Sequence, residues 1–139
     1  MNNTSIIKEL LTPYDVGHKK IRFGPIKDGG YVISENLIKE TDAVYSLGIA
    51  DNCGFDLSMA ELGFKVHMFE SSHSNPPVTH PNFIFKQMFM NSSNMNNEIK
   101  TNNHLGKRIL LKMDIEGSEY ELFENIDIDV FLDFKVTDR

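Results

Sequence analysis

The chain predicts an α/β fold in which a doubly wound, mostly parallel sheet is covered by helices. From residue 43 onward, short β-prone runs alternate with amphipathic segments, which is the pattern of right-handed βαβ crossovers. The β-prone runs are also almost continuously apolar, as in Ile109-Leu-Leu-Lys-Met113, and this is typical of strands buried on both faces of a sheet. Together these observations indicate a Rossmann-like architecture.

Length and composition suit a single domain. With 139 residues, of which 40% are hydrophobic and 24% charged, the chain can form one sizeable core. We expect one domain over residues 1–139, with residues 1–40 as a lead-in of helix and hairpin and residues 41–139 as the βα core.

Several classes of function are disfavoured by the same numbers. A net charge of -6 argues against a nucleic-acid partner, because neutralising phosphates needs a basic surface. No apolar run approaches the length that spans a bilayer, and the first residues, MNNTSIIKELL, lack the basic and apolar regions of a secretion signal. Since Cys53 is the only cysteine, we expect no internal disulfide and a cytoplasmic location.

The lead-in predicts a helix followed by a hairpin. Apolar residues recur at helical spacing at Ile6, Ile7, Leu10 and Leu11. Pro13 is expected to end that helix. The run IRFGPIKDGGYVI then places Asp28-Gly29-Gly30 between two β-prone segments, which favours a hairpin because glycine accepts positive φ. Ser34 is expected to cap a brief helix that carries Leu37 and Ile38.

The first half of the core predicts three strands and one helix. Strands are expected at Ala43–Leu47, Lys65–Phe69 and Phe83–Met88. Phe55, Met59 and Leu62 give one face of a helix between the first two strands, and Gly63 is a natural residue to end it. The polar, proline-containing residues 71–81 are expected to form a loop.

The second half predicts two further strands. The window 91–103 contains six asparagines and few apolar residues, so we expect a mobile loop or a poorly packed helix. Ile109–Met113 predicts the fourth strand and Val130–Val136 the fifth. Ser118 and Glu121 fit a capping box that starts a helix between them. The residues of that helix expected to face inward are Leu122, Phe123 and Ile126.

The turn after the first strand, Ser46-Leu-Gly-Ile-Ala-Asp51, is the first candidate binding element. Ligands of open α/β sheets bind beyond the carboxyl ends of the strands. Gly48 would let the backbone approach a ligand closely, and the following helix offers free N–H groups. The alternative is that Gly48 only forms a tight turn.

Glu70, at the end of the second strand, is the second candidate. It lies 22 residues beyond Gly48. An acidic residue about 20 residues past the glycine turn binds ribose hydroxyls in nucleotide-binding βαβ units. The alternative is a solvated surface carboxylate.

The acidic segment Asp114-Ile-Glu-Gly-Ser-Glu119 is the third candidate. Asp114 follows the fourth strand, which would lie next to the first, so its carboxylate is expected in the same cleft. Glu119 lies in the first turn of a helix, where the helix dipole favours a carboxylate. Glu116 is either a functional carboxylate or only a turn residue.

Two segments together resemble the FkbM-type and related class I S-adenosylmethionine-dependent methyltransferases. They are VYSLGIADNCGFDLSMAELGFKVHMFE and LLKMDIEGSEYELF. The D-x-E-G-x-E pattern is the most specific feature, followed by the SLGI turn with its downstream Phe-Glu pair, and DGGYVI also recurs in such proteins. The resemblance extends over roughly residues 14–126.

This resemblance implies S-adenosylmethionine as cofactor and O-methylation of a small hydroxylated acceptor, such as a sugar, as the reaction. It assigns cofactor contacts to Leu47, Gly48, Ile49, Ala50, Glu70, Ser71, Gln87, Met88 and Asp114. The Gly48 turn would hold the methionine part and Glu70 the ribose, with adenine near Gln87 and Met88. The catalytic residues implied are Asp114 and Glu116, either of which could act as a base or hold a divalent cation.

The sequence departs from that family in two places. The SLGIADNCG turn has one glycine before Asp51 where many methyltransferases have more, and only IDIDVFLDFKVTDR follows the acidic helix. We therefore expect a sheet that lacks the family's final antiparallel strand pair.

Two other functions stay open. A shortened, non-catalytic remnant could bind the cofactor or a partner, and could self-associate through an exposed sheet edge. A nicotinamide-dependent dehydrogenase is disfavoured because no G-x-G-x-x-G follows the first strand. No set of His, Cys and carboxylate residues has the spacing of a zinc site, so the sequence does not support a metal.

Overall fold

A computed structural model of the chain describes residues 3–12, 17–131 and 134–137. In chain order its elements are α1 (Asn3–Leu10), β1 (Lys20–Phe23), β2 (Tyr31–Ser34), α2 (Glu35–Glu40), β3 (Ala43–Leu47), α3 (Gly54–Glu61), β4 (Val66–Glu70), β5 (Phe83–Gln87), α4 (Ser92–Thr101), β6 (Ile109–Met113), α5 (Glu119–Asn125), α6 (Ile128–Phe131) and β7 (Phe134–Thr137).

The main sheet is parallel, and helices cover both of its faces. Its strand order is β5-β4-β3-β6-β7, so β3 lies in the centre between β4 and β6. The chain adds β4 and β5 on one side of β3 and then returns to add β6 and β7 on the other. The predicted α/β class is confirmed, and this order is consistent with a Rossmann-like fold, whose switch point lies at the end of β3.

The central strands are apolar because they separate two hydrophobic clusters. All five residues of β3 are buried. Tyr45 and Leu47 pack into one cluster with α1, α4 and α5, while Val44 packs into the other with α3 and the hairpin. Successive side chains of a strand point to opposite faces, so burial on both faces requires a continuous apolar run.

The lead-in forms the predicted hairpin. β1 and β2 pair antiparallel, and the side chain of Arg22 donates hydrogen bonds to the carbonyl groups of Pro25, Ile26 and Lys27, which hold the connecting loop. The ring of Tyr31 meets that of Phe55 edge-on, with 5.3 Å between centroids. This contact places the hairpin loop beside the beginning of α3. The predicted helix stop, Pro13, lies outside the described residues.

The asparagine-rich window is a packed helix, which corrects our expectation. α4 places Met95 and Ile99 on one face, and both are fully buried. The side chain of Asn91 caps the helix by accepting a hydrogen bond from the backbone N–H of Asn94 at 2.8 Å. Two apolar residues four positions apart are enough for this face, because they project from the same side of the helix.

The predicted capping box at Ser118 is also wrong. Ser118 has a helical φ of -69° and its side chain makes no capping hydrogen bond. The carboxylate of Glu119 instead accepts hydrogen bonds from the backbone N–H groups of Ile115 and Gly117, at 3.0 and 2.7 Å. Of the inward positions predicted for this helix, Leu122 and Ile126 are buried and Phe123 is half-buried.

Other predicted boundaries shift. Val130 belongs to α6, and β7 starts only at Phe134, so the predicted fifth strand was too long. The second strand, β4, begins at Val66 instead of Lys65, and it ends at Glu70 as expected. Ser34 precedes α2 as expected but forms no side-chain cap. Among the described residues, no helix combines the length and apolar character needed to cross a bilayer.

Candidate functional site

A cavity of about 660 Å³ opens at the carboxyl ends of β3, β4 and β6. The turns that follow these three strands bring Gly48, Glu70 and Asp114 to its wall. The hairpin loop and the segment after β5 complete the lining. Eight of the predicted site residues line this cavity: Gly48, Ile49, Ala50, Glu70, Ser71, Met88, Asp114 and Glu116.

Two predicted cofactor residues, Leu47 and Gln87, do not line the cavity. The side chain of Leu47 is fully buried in the cluster beneath α4 and α5, because its place in the pleat directs it into the core. The exposed Gln87 lies at the end of the edge strand β5, and its side-chain amide donates a hydrogen bond to the carbonyl of Ser71 at 3.3 Å.

The Gly48 turn needs a glycine for two reasons. Its φ of +81° lies in the left-handed region, which side chains disfavour. A Cβ atom at this position would also overlap the carbonyl oxygen of Asp114. The close approach that requires glycine here is therefore to the backbone that follows β6. The expected close approach of this turn to a ligand stays a prediction.

Glu70 is buried against the same turn. Its Oε2 accepts hydrogen bonds from the backbone N–H groups of Ile49 and Ala50, at 2.7 and 2.6 Å. Its Oε1 accepts hydrogen bonds from the backbone N–H and the hydroxyl of Ser72, at 3.0 and 2.7 Å. Burial raises the pKa of Glu70, but these hydrogen bonds outweigh it and lower the pKa to about 2. The side chain is thus a permanent carboxylate that organises the glycine turn.

The turn after β6 presents two further carboxylates. Asp114 is half-buried, and its backbone N–H donates to the carbonyl of Leu47 at 2.9 Å, which joins this turn to the end of β3. Glu116 is exposed and has a left-handed φ of +52°. The hydrogen bonds accepted by Glu119 hold the turn, so that both carboxylates stay at the cavity.

Sequence reasoning missed two charged residues at the bottom of the cavity, Asp56 and Lys112. Both line it, with only 1% and 3% of their surfaces exposed. The ammonium group of Lys112 donates a hydrogen bond to the carbonyl of Gly48 and lies 5.7 Å from the centroid of the Tyr31 ring. A lysine inside the apolar run ILLKM was a signal that could have been used, whereas Asp56 lies in an ordinary helical pattern.

The hairpin also contributes to the lining, through Asp28, Gly29 and Tyr31. The side chain of Asn52 donates a hydrogen bond to the carbonyl of Asp28 at 3.0 Å, which ties the hairpin loop to the loop after β3. The DGGYVI segment of the sequence was the signal for this element.

No group of three or more His, Cys, Asp or Glu side chains in the described part of the chain is arranged to hold a metal ion. The carboxylates of the site can act as hydrogen-bond acceptors or bases. Comparison of the chain with protein-family models, with curated proteins and with solved structures finds no match.

Proposed function

We propose that this chain binds S-adenosylmethionine in the cavity and methylates a hydroxyl group of a small acceptor such as a sugar. The observation that carries the proposal is the convergence of Gly48, Glu70 and Asp114 on one cavity at the carboxyl edge of a parallel sheet. That edge, where strand order reverses, is the usual ligand site of open α/β sheets.

The residues present suit such a cofactor. The cavity, at about 660 Å³, falls in the range of roughly 300–1,000 Å³ typical of small-molecule sites. The backbone of the Gly48 turn would hold the methionine part, and Met88 offers an apolar contact for the adenine. Since Glu70 already accepts four hydrogen bonds, the ribose hydroxyls would replace the hydroxyl of Ser72 as its donor.

For this reaction the protein mainly has to position the two reactants. When bound, S-adenosylmethionine supplies an electrophilic methyl group on a sulfonium. The turns after β3 and β6 orient the two reactants, and such alignment accounts for much of the rate enhancement in displacement reactions. Asp114 or Glu116 takes the proton of the acceptor hydroxyl, because both are carboxylates at the cavity.

Calorimetric titration with S-adenosylmethionine, S-adenosylhomocysteine and NAD tests the proposal. We expect binding of the first two and none of NAD. Glu70→Ala should weaken the binding by about 1–3 kcal/mol, the range for losing hydrogen bonds to a charged group. The matched control is Glu61→Ala, an exposed residue at the end of α3 that does not line the cavity and should leave affinity unchanged. Binding of NAD alone, or no binding, would refute the proposal.

A further inference from the structure

A polar patch interrupts the hydrophobic cluster on the α3 face of the sheet. Val44 and Leu110 are register partners in β3 and β6 and belong to that cluster. Two residues further along, Ser46 and Lys112 are again register partners, so their side chains lie on the same face. Asp56 of α3 lies close to both, since Lys112 and Ser46 each act on its pKa. Asp56 and Lys112 line the cavity, and the ammonium group of Lys112 reaches the carbonyl of Gly48.

The Asp56 carboxylate lacks the partners that a buried acid needs. It is 1% exposed, and neither of its oxygens has a hydrogen-bond partner among the described residues. The hydroxyl of Ser46 is near but also makes no hydrogen bond of regular geometry. Burial raises the pKa of Asp56, and the charge of Lys112 and the Ser46 hydroxyl oppose that rise. Buried polar groups are nearly always hydrogen-bonded, so an acid without a partner on a cavity wall indicates a ligand contact.

Lys112 provides the opposite charge in the same place. Lys112 is 3% exposed, and its ammonium group donates a hydrogen bond to the carbonyl of Gly48 and lies over the ring of Tyr31. A cationic ligand group alone would be repelled by Lys112, and an anionic one alone by Asp56. A neutral group would not match either charge. The chemistry that fits both is a zwitterion with adjacent ammonium and carboxylate groups.

We propose that Asp56 and Lys112 form the subsite for an α-amino-acid group, with Asp56 accepting hydrogen bonds from its ammonium and Lys112 pairing with its carboxylate. This rests on the proposed function and deepens it, because it assigns the amino-acid end of S-adenosylmethionine to two residues below the Gly48 turn. The Gly48 turn then borders this subsite, because its carbonyl accepts the hydrogen bond from Lys112.

Two ligands that share the 5′-thioadenosine part, one with and one without the amino-acid group, test the assignment by calorimetry. S-adenosylhomocysteine carries it, whereas 5′-methylthioadenosine does not. We expect the wild-type protein to prefer S-adenosylhomocysteine by about 10- to 100-fold, the equivalent of one or two charge-assisted hydrogen bonds. Asp56→Asn and Lys112→Met should each remove most of this preference while changing the affinity for methylthioadenosine by less than about twofold.

The matched control is Glu98→Gln. Glu98 is also buried, at 5% exposure, and is paired with Lys86 at 2.8 Å, but it does not line the cavity. This variant should keep the preference of the wild type. Thermal unfolding of all three variants shows whether they are folded.

If the variants do not fold, the ligand affinities of the wild-type protein still test the subsite. The decarboxylated form of S-adenosylhomocysteine keeps the amine but lacks the partner of Lys112, and it should bind at least about tenfold more weakly than the parent compound. Equal affinity of the wild-type protein for all three ligands would overturn the subsite. So would variants that weaken the binding of S-adenosylhomocysteine and methylthioadenosine equally. Either result would leave the proposed function standing. A wild-type protein that binds none of them overturns both.

Discussion

Gly48 connects the central strand, the candidate site and the polar patch. Its left-handed backbone brings it against the carbonyl of Asp114, and its own carbonyl accepts the hydrogen bond from Lys112. The next two N–H groups bind Glu70. Asp114, Lys112 and Glu70 are therefore all in contact with the same turn. Changes at Gly48 should affect both stability and ligand binding.

Gly48→Ala should therefore destabilise the protein by about 2–5 kcal/mol, since strain from the left-handed backbone adds to overpacking. Gly106→Ala is the matched control, because Gly106 has the same φ of +81° but no atom within 4 Å of the position that a Cβ would take. In that variant the free energy of unfolding should fall by only about 1–2 kcal/mol. Chemical denaturation measures both, and equal losses would show that the contact with Asp114 is unimportant.

The helix α4 illustrates how an element with few apolar residues can still be stable. Its buried face is made by Met95 and Ile99, and the carboxylate of Glu98 is held by Lys86 at 2.8 Å. Three asparagines, Asn94, Asn96 and Asn97, lie within the helix, and Asn91 and Asn102 are its caps. Helical stability in proteins comes mainly from packing such a face, so composition alone understated it.

Met95→Ala should accordingly lower the free energy of unfolding by about 2–5 kcal/mol, as for other large-to-small core changes. Asn97→Ala, on the exposed side of the same helix, should change it by less than about 0.5 kcal/mol. Denaturant midpoints for the two variants provide the measurement. A small effect at both positions would mean that the helix is loosely packed after all.

The molecule as a whole combines a parallel sheet, its two edges β5 and β7, and several buried titratable groups. Self-association through a sheet edge stays a prediction. The buried groups determine the response to acid, because those whose pKa differs between folded and unfolded chains link proton binding to folding. His67, which stacks on Tyr45, and Glu70 are two buried groups whose pKa values are lowered.

Acid should destabilise the fold in two steps. Burial, together with the charge of His104, lowers the pKa of His67 from 6.5 to about 4. The contribution of His67 to stability is therefore fully present above pH 6.5 and is lost as the pH falls toward 4. The pKa of Glu70 falls from 4.5 to about 2, so its contribution is lost between those values. Urea denaturation across this range should show both steps.

His67→Phe, which keeps a ring beside Tyr45, should flatten the first step and leave the second in place. His18→Gln, the substitution of an exposed histidine, is the control. If the first loss of stability has the same size in the His67 variant, another titratable group causes it.

Sequence reasoning located the strands and the cavity edge well, because both depend on local pattern. A continuous apolar run such as Ile109–Met113 predicts a buried strand wherever it lies, and the residue after a parallel strand must reach the carboxyl edge. The predicted meeting of Gly48, Glu70 and Asp114 follows from those two rules. Boundaries were less accurate, as β7 shows, because a short helix and a strand share the same apolar residues.

The amino-acid sequence alone determined the α/β class, the positions of the β3, β4 and β6 strands and the turns that hold the site. Tertiary packing decided the rest: that Asp56 and Lys112 meet below Gly48, that α4 is well packed, and that Glu70 binds the glycine turn and Ser72. The apolar periodicity that predicts helices and strands is a property of residues close together in the chain. Which charged residues far apart in the chain line the same cavity depends on which elements pack together, and no local pattern carries that information.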